Sequence, residues 1–117
     1  MHRHLLGRQA ESFAAKLLIA QGWQVLHRNW RTPYAEIGLL AQDPRGILVL
    51  VEVKSRHPFA QLQGENLLRP AQRKRLGRAL LWLQQRQAIP VRADLICVEL
   101  IRDQPTEMTR YRDIDLA

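Results

Sequence analysis

Apolar residues open the chain at helical spacing. Ala10, Phe13, Ala14, Leu17 and Leu18 fall at i, i+3, i+4, i+7 and i+8, the stripe of a helix that buries one face. The spacing predicts a helix over Arg8 to Gln21, stopped by Gly22. At 3.6 residues per turn Glu11 projects within about 20° of Leu18, so it lies on the border of the buried stripe. The period then changes to two. Trp23 to Arg28 reads as a strand, Asn29 to Tyr34 as a turn around Pro33, and Ala35 to Ala41 as a second strand. Strict alternation places Glu36, Gly38 and Leu40 on one face of that strand and Ile37 and Leu39 on the other. Gly38 in a strand interior requires a reason, either a bulge or a close neighbour.

Gln42 to Gly46 is turn chemistry, and Ile47 to Val51 is the longest uninterrupted aliphatic run in the chain. So short a run of β-branched residues and leucines reads as a central strand covered on both faces, joined to its predecessor as an antiparallel hairpin. It ends in Glu52 and Lys54, which share a face and can address one ligand. Arg56 to Leu68 has no period and reads as a loop. Pro70 opens a second helix that runs to about Gln87, with Gln72, Leu76, Ala79, Leu80 and Leu83 toward the core. Val91 to Leu100 is a further strand, with Val91, Ala93, Leu95 and Cys97 on one face and Arg92, Asp94, Ile96 and Val98 on the other. Strand, helix and strand in succession imply a parallel pairing. Glu107 to Ala117 alternates weakly, as an edge strand would. The pattern is that of an α/β chain: a central mixed sheet with an antiparallel hairpin, a parallel crossover and flanking helices.

Composition sharpens this in three ways. Its 117 residues suit one domain, and 46% hydrophobic with 25% charged residues are the proportions of a soluble globular protein. Net charge is +7, and between Glu65 and Asp94 every charged residue is basic: Arg69, Arg73, Lys74, Arg75, Arg78, Arg86 and Arg92. Charge of one sign favours polyanionic partners, nucleic acid first. Cys97 is the sole cysteine, which excludes an intramolecular disulfide and a cysteine zinc cage. No segment approaches the roughly 20 apolar residues of a membrane helix, and Glu11 and Lys16 break the region where a signal-peptide core would lie. The expectation is a cytoplasmic protein with no membrane partner.

A carboxylate on a helix, another on a hairpin strand, and Glu-x-Lys on the next strand suit phosphodiester hydrolysis. Mg²⁺ takes hard oxygen ligands, polarises a phosphate and activates water, while a lysine offsets growing charge. The order of motifs resembles the YraN-like bacterial family of the PD-(D/E)xK nuclease-like superfamily, and through it archaeal Holliday junction resolvases. The resemblance rests on Gly7-Arg8-Gln9-Ala10-Glu11, Gly22-Trp23, Arg28-Asn29-Trp30-Arg31 and Ala35-Glu36-Ile37-Gly38-Leu39-Leu40-Ala41. It continues through Val51-Glu52-Val53-Lys54-Ser55-Arg56, Gln72-Arg73-Lys74-Arg75 and Arg92-Ala93-Asp94-Leu95-Ile96.

The resemblance implies a restriction-endonuclease-like fold over a single domain 1–117, with a core of about 7–100 and a tail 101–117. It implies catalytic roles for Lys54, Glu52 and Gln72, and Mg²⁺ or Mn²⁺ on Glu11, Glu36 and Glu52. Nucleic acid, DNA above all, falls to Arg56, Arg69, Arg73, Lys74, Arg75 and Arg78, and resolvase-like relatives act as homodimers. One departure weakens the metal set: the family reads Gly-Glu-Ile-Asp where this chain has Ala35-Glu36-Ile37-Gly38, so the acid that is normally the central ligand is missing. Glu36 is the nearest substitute, and Asp43, in the following turn, is discounted. Three readings stand. The first is a nucleic-acid-binding protein with weak metal-dependent endonuclease activity on branched or single-stranded DNA. The others are a catalytically lapsed DNA- or RNA-binding module and a structural, partner-binding domain. The four histidines match no ligand spacing, Trp82 reads as packing, and Trp30, in the turn, is the one aromatic considered for nucleic acid.

Overall fold

The computed structural model describes residues 2–57 and 67–116, with side chains from Leu5 onward; within the expected Arg56–Leu68 loop, 58–66 lie outside the described residues. Helix α1 (His2–Ala20) begins six residues before the expected start, since nothing in that stretch forbids helical geometry. Strands β1 (Gln24–Arg31), β2 (Glu36–Gln42) and β3 (Leu48–Arg56) follow, then helix α2 (Pro70–Gln84) and strands β4 (Val91–Ile101) and β5 (Gln104–Tyr111).

The five strands lie in chain order, β1-β2-β3-β4-β5. Only β3 and β4 run parallel, through α2, and the other neighbours are antiparallel. This is the mixed sheet of a restriction-endonuclease-like fold. The helices cover opposite faces. Ala10, Ala14, Ala15 and Leu18 of α1 pack on Leu39, Ala41, Val49, Val51, Ile96 and Val98. On the other side Leu76, Ala79 and Leu83 of α2 pack on Ile37, Leu40, Leu48, Leu50, Ala93 and Leu95. Burying a leucine such as Leu18 or Leu50 completely contributes about 1.5–3 kcal/mol, which is why β3 and β4 are apolar on both faces. No described helix is long and apolar enough to cross a membrane.

Two corrections bear on the site. The expected Asn29–Tyr34 turn is narrower, because β1 continues to Arg31. The reversal is held by Thr32, whose hydroxyl accepts the Tyr34 and Ala35 N–H groups at 3.2 and 3.0 Å and donates to the Ala35 carbonyl at 2.8 Å. Trp30 therefore sits on a strand, half-buried against the α2-side core. The second correction concerns β2. Ile37 and Leu39 do not share a face: Ile37 joins the α2-side core and Leu39 the α1-side core. Alternation slips between them at Gly38, and Asn29, at the same level of β1, takes a left-handed φ of 49°. The irregularity that a strand glycine signals is present, and it turns residue 38 toward α1.

On the α1 face of β4, level with Val49 and Val51 of β3, Arg92 and Asp94 form a buried network. Asp94 accepts from Arg92 Nε at 2.9 Å and Nη2 at 3.1 Å, from Arg110 Nη1 at 3.0 Å and from the Asp113 N–H at 2.9 Å. Arg92 Nη1 also reaches Asp43 Oδ2 at 2.6 Å, while Asp43 Oδ1 accepts the N–H groups of Arg45 and Ile47. Burial opposes ionisation of Asp43, but the Arg92 and backbone hydrogen bonds outweigh it and hold its pKa below the usual aspartate value. Asp43 is a turn residue, as expected, and works as scaffold.

Candidate functional site

The pairing of β2 with β3 runs from Gln42↔Leu48 to Leu39↔Val51 and ends there among the described residues. Beyond that point β3 stays paired with β4, to Arg56↔Glu99. Glu52 is the first residue past the parting. It projects to the α2 side, as Leu48 and Leu50 do, and Lys54 shares that face with Nζ 3.6 Å from Glu52 Oε1. The side chains are 20% and 25% exposed, so each is partly desolvated yet reachable.

Glu11 approaches the same parting from α1. A Cβ on residue 38 would lie 2.8 Å from Glu11 Oε2 and 3.5 Å from the Val51 carbonyl oxygen. The Glu11 carboxylate thus fills the space that a side chain at 38 would take. It is the tip of a flexible chain, and Gly38 is not among the positive-φ glycines, Gly22 and Gly46. A side chain at 38 requires only that Glu11 move aside.

Burial raises the pKa of Glu11, and the nearby charges of Glu52 and then Glu36 raise it further against the opposing pull of Arg28 and Arg8. Burial raises Glu52 as well. Lys54 counters this, and Glu36 adds to it. The three acids feel one another, as carboxylates in a functional cleft do. They nevertheless take different partners: Glu11 fills the space over Gly38, Glu36 is exposed and paired with Arg31 at 3.3 Å, and Glu52 pairs with Lys54. Among the described residues no group of three or more histidine, cysteine, aspartate or glutamate side chains is placed to hold a metal ion. Gly38 supplies no ligand, so Glu11, Glu36 and Glu52 are the acids of the expected set that this chain retains.

Two cavities flank the pair. One of about 220 Å³ is walled by Glu36, Glu52, Gln72 and Arg75. The other, about 710 Å³, lies over Lys54 between the start of α1 and the start of α2, with Gln72, Arg69 and Arg75 on its walls. Gln72 borders both, and its Oε1 accepts the Arg69 N–H at 3.4 Å, which places it at the mouth of α2. The first turn of α2 carries no acid, so the positive end of its dipole is uncompensated by side chains of its own.

The six residues expected to meet nucleic acid divide. Arg69, Lys74, Arg75 and Arg78 are exposed, and Arg75 and Arg78 look toward the β1–β2 turn. Arg73 instead donates to the Asp115 carbonyl in the C-terminal segment. Arg56 is bound to Glu99 at 2.6 and 3.2 Å, with its charge already matched. Both therefore have partners within the protein. Sequence reasoning passed over Tyr34, which stands 45% exposed beside Arg78 and Trp82. No periodicity marks it; its one signal was a place next to Pro33 in a turn.

The model of a family described as "Uncharacterised protein family UPF0102" matches residues 10–98. A UPF0102 protein of Oleidesulfovibrio alaskensis is 38% identical over 88% of this chain, which spans only 53% of that relative's length. A UPF0102 protein of Mycobacterium avium is 36% identical over 97% of this chain and 92% of its own. One from Corynebacterium diphtheriae is 29% identical over 97% and 93%.

Proposed function

The chain belongs to the uncharacterised protein family UPF0102, and we propose that it binds nucleic acid, DNA in the first place, on a nuclease-like scaffold whose cleavage chemistry has lapsed at Gly38. The observation that carries this reading is the cavity over Lys54, where Lys54, Arg69 and Arg75 line one concavity at the uncompensated N-terminus of α2. Phosphate oxygens are what such a set accepts: cationic donors that make charge-assisted hydrogen bonds, and a helix dipole of the right sign. Glu52 shares its strand face with Lys54 and orients the ammonium. Exposed Arg78 and Lys74 extend the positive field along α2.

The test compares the parent with Gly38→Asp on single-stranded, duplex and four-way-junction DNA, with Mn²⁺ and with EDTA. The parent binds at low salt, is indifferent to EDTA and cuts nothing; Gly38→Asp gains Mn²⁺-dependent cleavage. If the parent itself cuts DNA with Mn²⁺, and Glu52→Ala abolishes that, the lapse is refuted in favour of a weak endonuclease. No binding of any form at low salt refutes the whole reading.

A further inference from the structure

About two turns further along α2, roughly 11 Å by helical rise, a second concavity of about 300 Å³ is lined by Tyr34, Arg78, Leu81, Trp82 and Gln85. Tyr34 and Leu81 leave large apolar side chains in solvent, 45% and 56% exposed. Trp82 between them is held on two sides: the Trp30 ring is 6.0 Å away at 48°, and the Arg86 guanidinium lies 4.6 Å from the Trp82 centroid. Trp30 is in turn stacked on His27 at 6.0 Å and 17°. The Tyr34 backbone is fixed by the Thr32 turn. The result is an aromatic and aliphatic cleft on a frame of packed rings and a hydrogen-bonded turn, with a cation and an amide at its edge. Apolar exposure of this kind on a strongly basic surface suits a partner that is itself part anion and part flat ring.

We propose that this cleft takes an unpaired nucleobase of the strand whose phosphates lie along α2. The inference rests on the phosphate-binding reading and adds to it a preference for single-stranded or unpaired segments. The base stacks against Tyr34, with Trp82 and Leu81 as the walls of the cleft. Gln85 and Arg78 meet its polar edge without selecting among the four bases, because every base offers a π face.

Two fluorescein-labelled probes of equal length and phosphate number test it: a thymidine oligonucleotide and an abasic one. Fluorescence anisotropy on the wild-type chain should give at least about fivefold tighter binding of the base-bearing probe, with tryptophan quenching by that probe alone. Tyr34→Ala, at an exposed position, should bring the two affinities together by weakening only the base-bearing complex. Arg75→Ala should weaken both probes alike. Equal wild-type affinity for the two probes overturns the base cleft and leaves phosphate binding intact. Failure to bind either probe overturns both.

Discussion

Asp94→Ala is the sharpest test of how the scaffold is held. The Asp94 side chain is 0% exposed and accepts four hydrogen bonds, three from guanidinium groups and one from the Asp113 backbone. Its removal leaves Arg92, at 8% side-chain exposure, with Asp43 as its remaining carboxylate, and it cuts the anchor that joins β4 to β5 and the C-terminal segment. Breaking a buried, hydrogen-bonded ion pair from one side costs about 3–5 kcal/mol. For 117 residues, an unfolding entropy of about 2.1 cal/mol/K per residue gives roughly 0.25 kcal/mol/K, so Tm should fall by about 12–20 °C. Circular dichroism melts read this directly. Glu36→Gln, which breaks the exposed pair with Arg31, should move Tm by no more than about 4 °C. A fall under about 4 °C for Asp94→Ala would refute the assignment of the network as the clamp of this part of the sheet.

Other outcomes follow from the site. Glu11 and Glu52 have native pKa values above their unfolded values, so each costs stability once ionised. The penalty is absent below the unfolded pKa of about 4.3, grows as pH rises through the native pKa, and is complete above it. Glu11→Gln and Glu52→Gln should therefore raise Tm at pH 8 and leave it unchanged near pH 3.5; no gain at pH 8 would contradict the assignment. DNA affinity should rise as pH falls through the same window. With Lys54, Arg69, Arg75 and Arg78 on phosphates, log K for single-stranded DNA should fall with log salt at a slope of about −3, and Arg75→Ala should reduce the slope by about 0.7; Arg73→Ala should leave it unaltered. Cys97 is buried, and burial raises its thiol pKa; it should resist alkylation in the native protein and react fully in denaturant.

Much of the fold is readable from local pattern. The apolar run into Glu52 and Lys54, the α1 stripe with Glu11 at its border, and the alternation of β4 all report interactions within one element, and each holds in the structure. The misreadings arise where a second element decides. Nothing local reveals that Arg56 is taken by Glu99, 43 residues away, or that Arg92 reaches Asp43, 49 residues back. The slip at Gly38 defeats a strict period of two: Ile37 and Leu39 face opposite cores although the β1–β2 register runs on from Arg28↔Leu39 to Trp30↔Ile37. Of the segments that carry the family resemblance, Arg92-Ala93-Asp94-Leu95-Ile96 proves to be scaffold, while Glu11, Glu52, Lys54 and Gln72 gather near the parted strands. Tyr34 gains meaning only from α2, which covers it from a distant part of the chain.

The buried network lies on the α1 face, level with Val49 and Val51 of β3, while Glu52 and Lys54, just past the parting of the strands, face α2, and this separation by face governs how the protein can change over time. Rigidity resides in the Arg92–Asp94 network, whereas the atoms nearest a side chain at position 38 belong to Glu11 and Val51, so a substitution there perturbs few of the contacts on which folding depends. A carboxylate at position 38 would be a tenant of the scaffold rather than one of its supports. One codon change would place an acid there, with Glu11 in the way only as a movable tip.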